Sequence, residues 1–355
     1  HFIITPNPLN KSLNFLTRIE INDYAEIPSV IKQLLYIKEE AEKHKSDEEK
    51  QRLKQIKELD EKKISLTEQL CQVQNEFARI SFLLEREANN RFSTGLKHHQ
   101  AEEYLEASEE YKAATELNPK YSEAYYNWGN ALMELAEIKS GNEAEELHKE
   151  ACKKYDKAIT YKQDYHKAYF SWGVALIELA MTKSGNEAEE LYKEAFKKYE
   201  LTTKYKQDYY YAYNNWGNAL MELAMTKSGN EAEKLYKEAF EKYKLATTYK
   251  KDLYQAYYNW GVALSDLAEI KSGSEAEELH KEAFKKYNFG IKYGGDAYNL
   301  ACLFAIRNQK AEALKYLDIA LSRNEITINF VEQDEDWEEF RNDPNFQNLL
   351  SRYKK

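Results

Sequence analysis

The chain has 355 residues, 51 of them basic and 61 acidic, which gives a formal net charge of -10 at pH 7. Charged residues make up 32% and mean hydropathy is -0.81; no apolar run approaches the ~20 residues of a spanning helix, which excludes an integral helical membrane protein. A 43% hydrophobic content with 29 tyrosines excludes a disordered chain, and 12 glycines and 5 prolines are too few for an all-β chain rich in hairpins, so a mostly helical protein is predicted.

Residues 1–23 carry Pro6 and Pro8 and read as an irregular linker or the tail of an upstream domain. The chain opens with neither a secretory signal nor a basic presequence and has no initiator Met, so a piece of something longer in a reducing, cytoplasmic compartment is expected. A helical hairpin or coiled coil is predicted over 24–90. Pro28 suits a first helical turn, and Ile27, Val30, Ile31, Leu34 and Leu35 then share one face. Ser46 and Glu49 have capping-box spacing at the start of a second helix. From Ile56 onward, Leu59, Leu66, Leu70, Val73, Phe77, Ile80 and Leu84 keep a 3-4 spacing interrupted only by Lys63, a heptad seam. Three partners fit that seam: residues 28–44, another chain, or the first repeat. An antiparallel hairpin is expected first and a dimeric coiled coil second, so residues 56–84 are the expected route of any self-association.

Beyond residue 91 the chain repeats itself. Trp128, Trp172, Trp216 and Trp260 lie 44 residues apart, and each is followed by Gly. Gly141, Gly185, Gly229 and Gly273 recur in the same register after Lys-Ser, as do Ala151, Ala195, Ala239 and Ala283, and Tyr155, Tyr199, Tyr243 and Tyr287. Each unit reads as two helices. The first carries Tyr125, Trp128, Leu132, Leu135 and Ile138 at helical spacing, and the second Leu147, Ala151, Tyr155 and Ala158. Gly141 provides a residue able to adopt positive φ between them, and Asn142 with Glu145 has capping-box spacing. Two such helices cannot bury their apolar faces alone, so neighbouring units are expected to stack.

These residues resemble the tetratricopeptide repeat. Tyr125, Trp128-Gly129, Leu132, Ala151 and Tyr155 look like its aromatic, Leu-Gly, aromatic and Ala-x3-Phe positions, and Pro119 like its helix-ending proline, which Gln163, Gln207 and Lys251 replace in later units. The resemblance implies an all-α fold, a right-handed α-solenoid preceded by the N-terminal hairpin. One 34-residue and four 44-residue units fill 91–293, and a final short repeat with a cap follows over 294–355. Gly95 to Ala107 is 12 residues, whereas Gly129 to Ala151 is 22; Ala107 to Gly129 and Ala151 to Gly173 are both 22. The ten added residues therefore sit at the hairpin tip, where about five per helix at ~1.5 Å each lengthen it by roughly 7 Å. After Gly294-Gly295, Asp334, Asp336, Trp337, Phe340, Arg341, Asp343, Pro344 and Phe346 resemble the terminal cap of bacterial repeats of this family, with the aromatics covering the last apolar face.

No phosphate loop, dinucleotide fingerprint, nucleophile elbow or zinc-protease motif occurs, so no catalytic residue, no cofactor and no enzyme activity are expected. Cys71, Cys152 and Cys302 lack metal-ligand spacing, and Cys152 fills the slot of Phe196, Phe240 and Phe284 as a small core residue. The pair His98-His99 has no acidic or cysteine partner at ligand spacing, and nothing nearby completes a site with Asp334 and Asp336, so no metal is expected. Residues 1–91 hold 15 basic and 16 acidic side chains against 36 and 45 in the rest, which disfavours nucleic acid; the Lys-Lys steps at Lys153 and Lys197 are flanked by glutamates and read as a solvated face.

The family likeness implies that the first helices line a concave surface. Its inward register is Glu123, Tyr126, Asn127, Asn130, Met133 and Glu134; Lys167, Phe170, Ser171, Val174 and Ile177; Tyr211, Asn214, Asn215, Asn218 and Met221; and Gln255, Tyr258, Asn259, Val262 and Ser265. Asn can donate and accept to an extended backbone, and Tyr offers apolar area with a polar tip. A protein or peptide partner is expected on Tyr126, Asn127, Asn130, Met133, Lys167, Phe170, Ser171, Val174, Tyr211, Asn214, Asn215, Asn218, Gln255, Tyr258, Asn259 and Val262, with Asn130 and Asn218 serving binding alone. The clamp with which family members hold acidic chaperone tails would fall on Phe92, Leu96 and Ser171, where no basic residue stands; only Asn127 and Lys167 fit. The chain is thus expected to be a scaffold or adaptor, or else the regulatory repeat region of an effector enzyme whose catalytic domain precedes His1.

Overall fold

The computed structural model describes residues 3–4, 19–20, 28–29, 31–33, 35 and 47–354. The chain divides into two units, residues 1–86 and 87–355. In the first, Ile3–Ile4 (β1) and Ile19–Glu20 (β2) pair antiparallel, Ile3 opposite Glu20, within a segment expected to be irregular. Pro28, Ser29, residues 31–33 and Leu35 are helical, as expected. Ile27, Val30, Leu34 and Ser46 lie outside the described residues, and so do residues 36–44 of the expected hairpin partner and the capping box that Ser46 was expected to open. Helix α1 (Asp47–Gln100) runs unbroken for 54 residues, because no Gly or Pro intervenes before Gly95. It continues through residue 90, where a boundary was expected, and its last turns act as the first helix of the first repeat.

The second unit is a stack of helix hairpins. After α2 (Tyr104–Leu117) come four long pairs: α3 (Ser122–Glu137) with α4 (Gly141–Tyr161), α5 (His166–Met181) with α6 (Gly185–Tyr205), α7 (Tyr210–Met225) with α8 (Gly229–Tyr249), and α9 (Tyr254–Glu269) with α10 (Gly273–Lys292). A short pair, α11 (Ala297–Ile306) and α12 (Lys310–Ser322), follows, and then α13 (Ile328–Gln333), a 3-10 turn over Glu335–Phe340 and α14 (Pro344–Tyr353). In the long pairs each first helix packs along its own second helix, and each of α2, α4, α6 and α8 packs along the first helix that follows it. First helices of the long units have 16 residues against 10 in α11, and most second helices 21 against 13 in α12, so the extra residues lengthen both arms. At the tips Gly141, Gly185, Gly229 and Gly273 have φ of 60, 59, 57 and 60°, the left-handed region where Gly carries no Cβ penalty.

Asn142 does not cap α4. The cap position is Ser140, no side chain bonds to the helix end, and Glu145 instead reaches Lys149 at 2.8 Å and Lys183 of the next unit at 2.7 Å. The same inter-unit pair recurs as Glu189–Lys227 and Glu233–Lys271, a ladder of charge along the tips. Those lysines hold Glu145, Glu189 and Glu233 at about 2, well below the usual carboxylate range; hydrogen bonds from Lys149, Lys193 and Lys237 are the largest cause, followed by those from the next unit.

Inside each hairpin a fully buried tyrosine lies against a glycine. A Cβ on Gly129, Gly173, Gly217 or Gly261 would come within 2.5, 2.6, 2.6 or 2.4 Å of Tyr155, Tyr199, Tyr243 or Tyr287, so these glycines permit close helix approach. The tryptophans seal the unit junctions. Trp216 stacks on Phe196 of the preceding second helix, ring centroids 6.4 Å apart, and Trp172 packs against Cys152, whose thiol burial pushes up to about 12. Lys154, Lys198, Lys242 and Lys286 sit 3.5, 3.2, 3.4 and 3.2 Å from the ring centroids of Trp128, Trp172, Trp216 and Trp260. Lys154, Lys198 and Lys286, the second lysines of Lys-Lys steps, and Lys242, which follows Glu241, therefore lie over tryptophan rings and are not part of a solvated face. Stacked tyrosines close the opposite edge: Tyr125–Tyr161, Tyr169–Tyr205, Tyr213–Tyr249 and Tyr257–Tyr293, at 6.0, 5.7, 5.5 and 5.4 Å. At the end of the stack Trp337, Phe340 and Phe346 are buried together, as expected of a cap.

Candidate functional site

The first helices of the long pairs each turn one face toward their own second helix and carry other positions that are half-buried or exposed. The inward register divides into packing positions and available positions. Tyr126, Phe170 and Tyr258 belong to packing. Tyr126 lies 6.2 Å from Tyr155 and 5.0 Å from Tyr165, and Phe170 lies 6.1 Å from Tyr199 and 5.2 Å from Tyr209. The Tyr258 hydroxyl donates to the Asp296 carbonyl at 3.1 Å. Val262 and Asn214 are buried as well, and Val174 is half-buried. Met133 contacts His148, its sulfur 3.4 Å from Nδ1.

Asn130 and Asn218 have a structural duty that sequence reasoning missed. Each accepts a hydrogen bond at 2.9 Å from a buried tyrosine hydroxyl, Tyr155 and Tyr243 respectively. In the last long unit Ser265 takes this role for Tyr287 at 3.1 Å. A buried hydroxyl without a partner is expensive, so these asparagines stabilise the hairpin and are not binding residues alone. The signal was present in sequence as a 25-residue Asn-to-Tyr spacing, but only a hairpin geometry gives that spacing meaning.

The remaining positions form a polar surface. Lys167, Tyr211 and Gln255 are exposed, and Asn127, Ser171, Asn215 and Asn259 are half-buried. Asn259 donates to Asn214 at 3.3 Å, and Asn214 donates to Asn215 at 3.2 Å, so amides link successive first helices. One turn further on stands a row of acids in 44-residue register: Glu134, Glu178, Glu222 and Asp266. Among the described residues no basic group lies within salt-bridge distance of Glu134, Glu178 or Glu222, whereas Asp266 is paired with Arg307. Glu178 is exposed and Glu222 half-buried; partial desolvation nevertheless raises the pKa of Glu178, with Glu137 adding to the rise. Desolvation also raises Glu222 and Asp266, opposed in both by Arg307. Carboxylates so placed gain from an incoming cation.

Among the described residues one grouping has metal-ligand types at close range, Cys302 with Asp334 and Asp336. Its atoms are already engaged: Asp334 accepts from the Tyr298 hydroxyl at 2.6 Å and from the Asp336 amide at 3.0 Å. Burial pushes the Cys302 thiol up to about 12, which opposes the thiolate that a metal requires. The cluster holds the cap onto α11. His98 does have an acidic neighbour, Glu103, at 2.6 Å, a contact the sequence reading had not placed.

Residues 95–135 match the family model described as TPR repeat. No curated protein sequence matches the chain. Among solved structures, the chain is similar to one titled for pilF of Pseudomonas aeruginosa, with 15% identity and a TM-score of 0.47 over 73% of this chain and 98% of that one. It is also similar to a MamA protein, at 17% identity and a TM-score of 0.43 over 58% and 91% of the two chains. A third is YrrB, titled a TPR protein with an unusual peptide-binding site, at 19% identity and a TM-score of 0.40 over 57% and 89%.

Proposed function

We propose that this tetratricopeptide-repeat chain is a non-catalytic scaffold or adaptor that holds a protein or peptide segment along the open face of its first helices. The partner-contacting residues in this proposal are Asn127, Lys167, Ser171, Tyr211, Asn215, Gln255 and Asn259, joined by Glu134, Glu178 and Glu222. The observation that carries it is the acid row: among the described residues Glu134, Glu178 and Glu222 have no basic partner within salt-bridge distance, desolvation raises the pKa of Glu178 and Glu222, and amides able to bond an extended backbone flank the row. A segment bringing Lys or Arg relieves that electrostatic cost, whereas an acidic segment or nucleic acid phosphate is repelled.

The test is site-specific photo-crosslinking in an extract of the native cells. A photoreactive residue replacing Tyr211 should capture a discrete partner, and the same group replacing the outward Lys153 should not. Adding Glu178→Lys and Glu222→Lys should abolish the Tyr211 adduct. Equal capture from both positions, or an adduct indifferent to charge reversal, would overturn the proposal.

A further inference from the structure

From Cys71 to Glu87 helix α1 is exposed on every side. Within this stretch Val73, Phe77, Ile80 and Leu84 continue the heptad seam, and they are 54%, 72%, 49% and 44% exposed. Upstream, Leu59, Leu66 and Leu70 are half-buried, so the seam grows more exposed along one unbroken helix. From Leu59 to Leu84 it extends about 38 Å at ~1.5 Å per residue. A row of large apolar side chains open to water on a helix this long calls for a partner helix.

We infer that residues 66–84 of α1 pair with the same residues of a second copy of this chain in a coiled coil. Two features favour a second copy over another protein. First, heptad partners that must be told apart are selected by charges at the positions flanking the seam. Here those positions are Thr67, Gln69, Gln74, Glu76, Ser81 and Leu83, almost all uncharged. Two identical parallel copies then meet with no like charges opposed across the seam, and there is little to specify a different chain. Second, the area suffices: the seam residues with the flanking Leu83 expose on the order of 500 Å² per chain, so pairing covers roughly 1,000 Å², the lower bound for a specific interface. The core positions alternate Leu66, Leu70, Val73, Phe77, Ile80 and Leu84, which supplies knobs for an identical strand to receive.

Sedimentation velocity on the full chain tests this. Wild type is expected to sediment as a dimer that dissociates on dilution, and Phe77→Glu as a species of half the mass. Phe77 is largely exposed, so the change leaves the chain's own packing intact; unchanged tryptophan fluorescence from the repeats checks this. Phe82 is 63% exposed but lies on the helix face away from the seam, so Phe82→Glu should leave the dimer unaltered. A monomeric wild type at every attainable concentration would overturn the inference, as would a dimer that survives Phe77→Glu or is lost equally with Phe82→Glu.

Discussion

Replacing Asn130 by Ala should destabilise the second unit, and the size of the effect follows from one hydrogen bond. Tyr155 is fully buried against Gly129, and its hydroxyl donates to Asn130 Oδ1 at 2.9 Å. Removing the acceptor leaves a buried O–H without its partner, which costs about 1–3 kcal/mol. Tyr155→Phe removes the donor instead; Asn130 is half-buried and can turn to water, so a loss below ~1 kcal/mol is expected. In the Tyr155→Phe background Asn130→Ala should then cost almost nothing, giving a coupling of roughly 1–2 kcal/mol. Urea unfolding followed by tryptophan fluorescence reads the loss, with hydrogen exchange of α4 amides localising it, because stacked repeats need not unfold as one. A loss under ~0.5 kcal/mol for Asn130→Ala, or the same loss in both backgrounds, would refute the reasoning.

Gly173→Ala sets a helix-propensity gain of ~1 kcal/mol against a Cβ lodged 2.6 Å from Tyr199, and overpacking of about 1–3 kcal/mol wins, so calorimetry should show a lower Tm. Trp172→Ala should lose about 3–5 kcal/mol in denaturant titrations, and Lys198→Met, which keeps the stem over the ring without its charge, about 0.5–2 kcal/mol. Acid titration carries two signs. Glu145, Glu189 and Glu233 have folded values of about 2, below the ~4.3 of an unfolded chain, so their contribution is present above that value and is lost as pH falls toward 2. Replacing all three by Gln should flatten the acid limb of the stability profile. Glu178, Glu222 and Asp266, whose values are raised, oppose this trend because the folded chain favours their neutral forms.

The architecture was legible because its signals are periodic. The 44-residue spacing of Trp128, Trp172, Trp216 and Trp260 located the hairpins, and counting from Gly129 to Ala151 placed the added residues at the tips, where both helices are indeed longer. Individual side-chain duties were less legible. Asn130 and Val174 occupy the same register, yet one satisfies a tyrosine and the other only packs, a distinction that depends on what the facing helix presents. Glu145 had capping-box spacing, but Lys149 on its own helix and Lys183, 38 residues away, take its charge instead. The second lysines of the Lys-Lys steps looked solvated because glutamates stand four residues before them; the tryptophan beneath comes from another helix. Glu178 and Glu222 were in plain register with Glu134, and their significance emerges only once the surrounding helices are placed, which partly desolvate both and leave neither a basic partner at salt-bridge distance among the described residues.

Fluorescence anisotropy of short labelled peptides tests the acid row most directly. A Lys- and Arg-bearing peptide should bind the chain, lose affinity as salt rises, and bind several-fold more weakly to Glu178→Gln/Glu222→Gln, while an acidic peptide of equal length stays free. Preference for the acidic peptide, or equal affinity of the basic one for wild type and the double variant, would contradict the account.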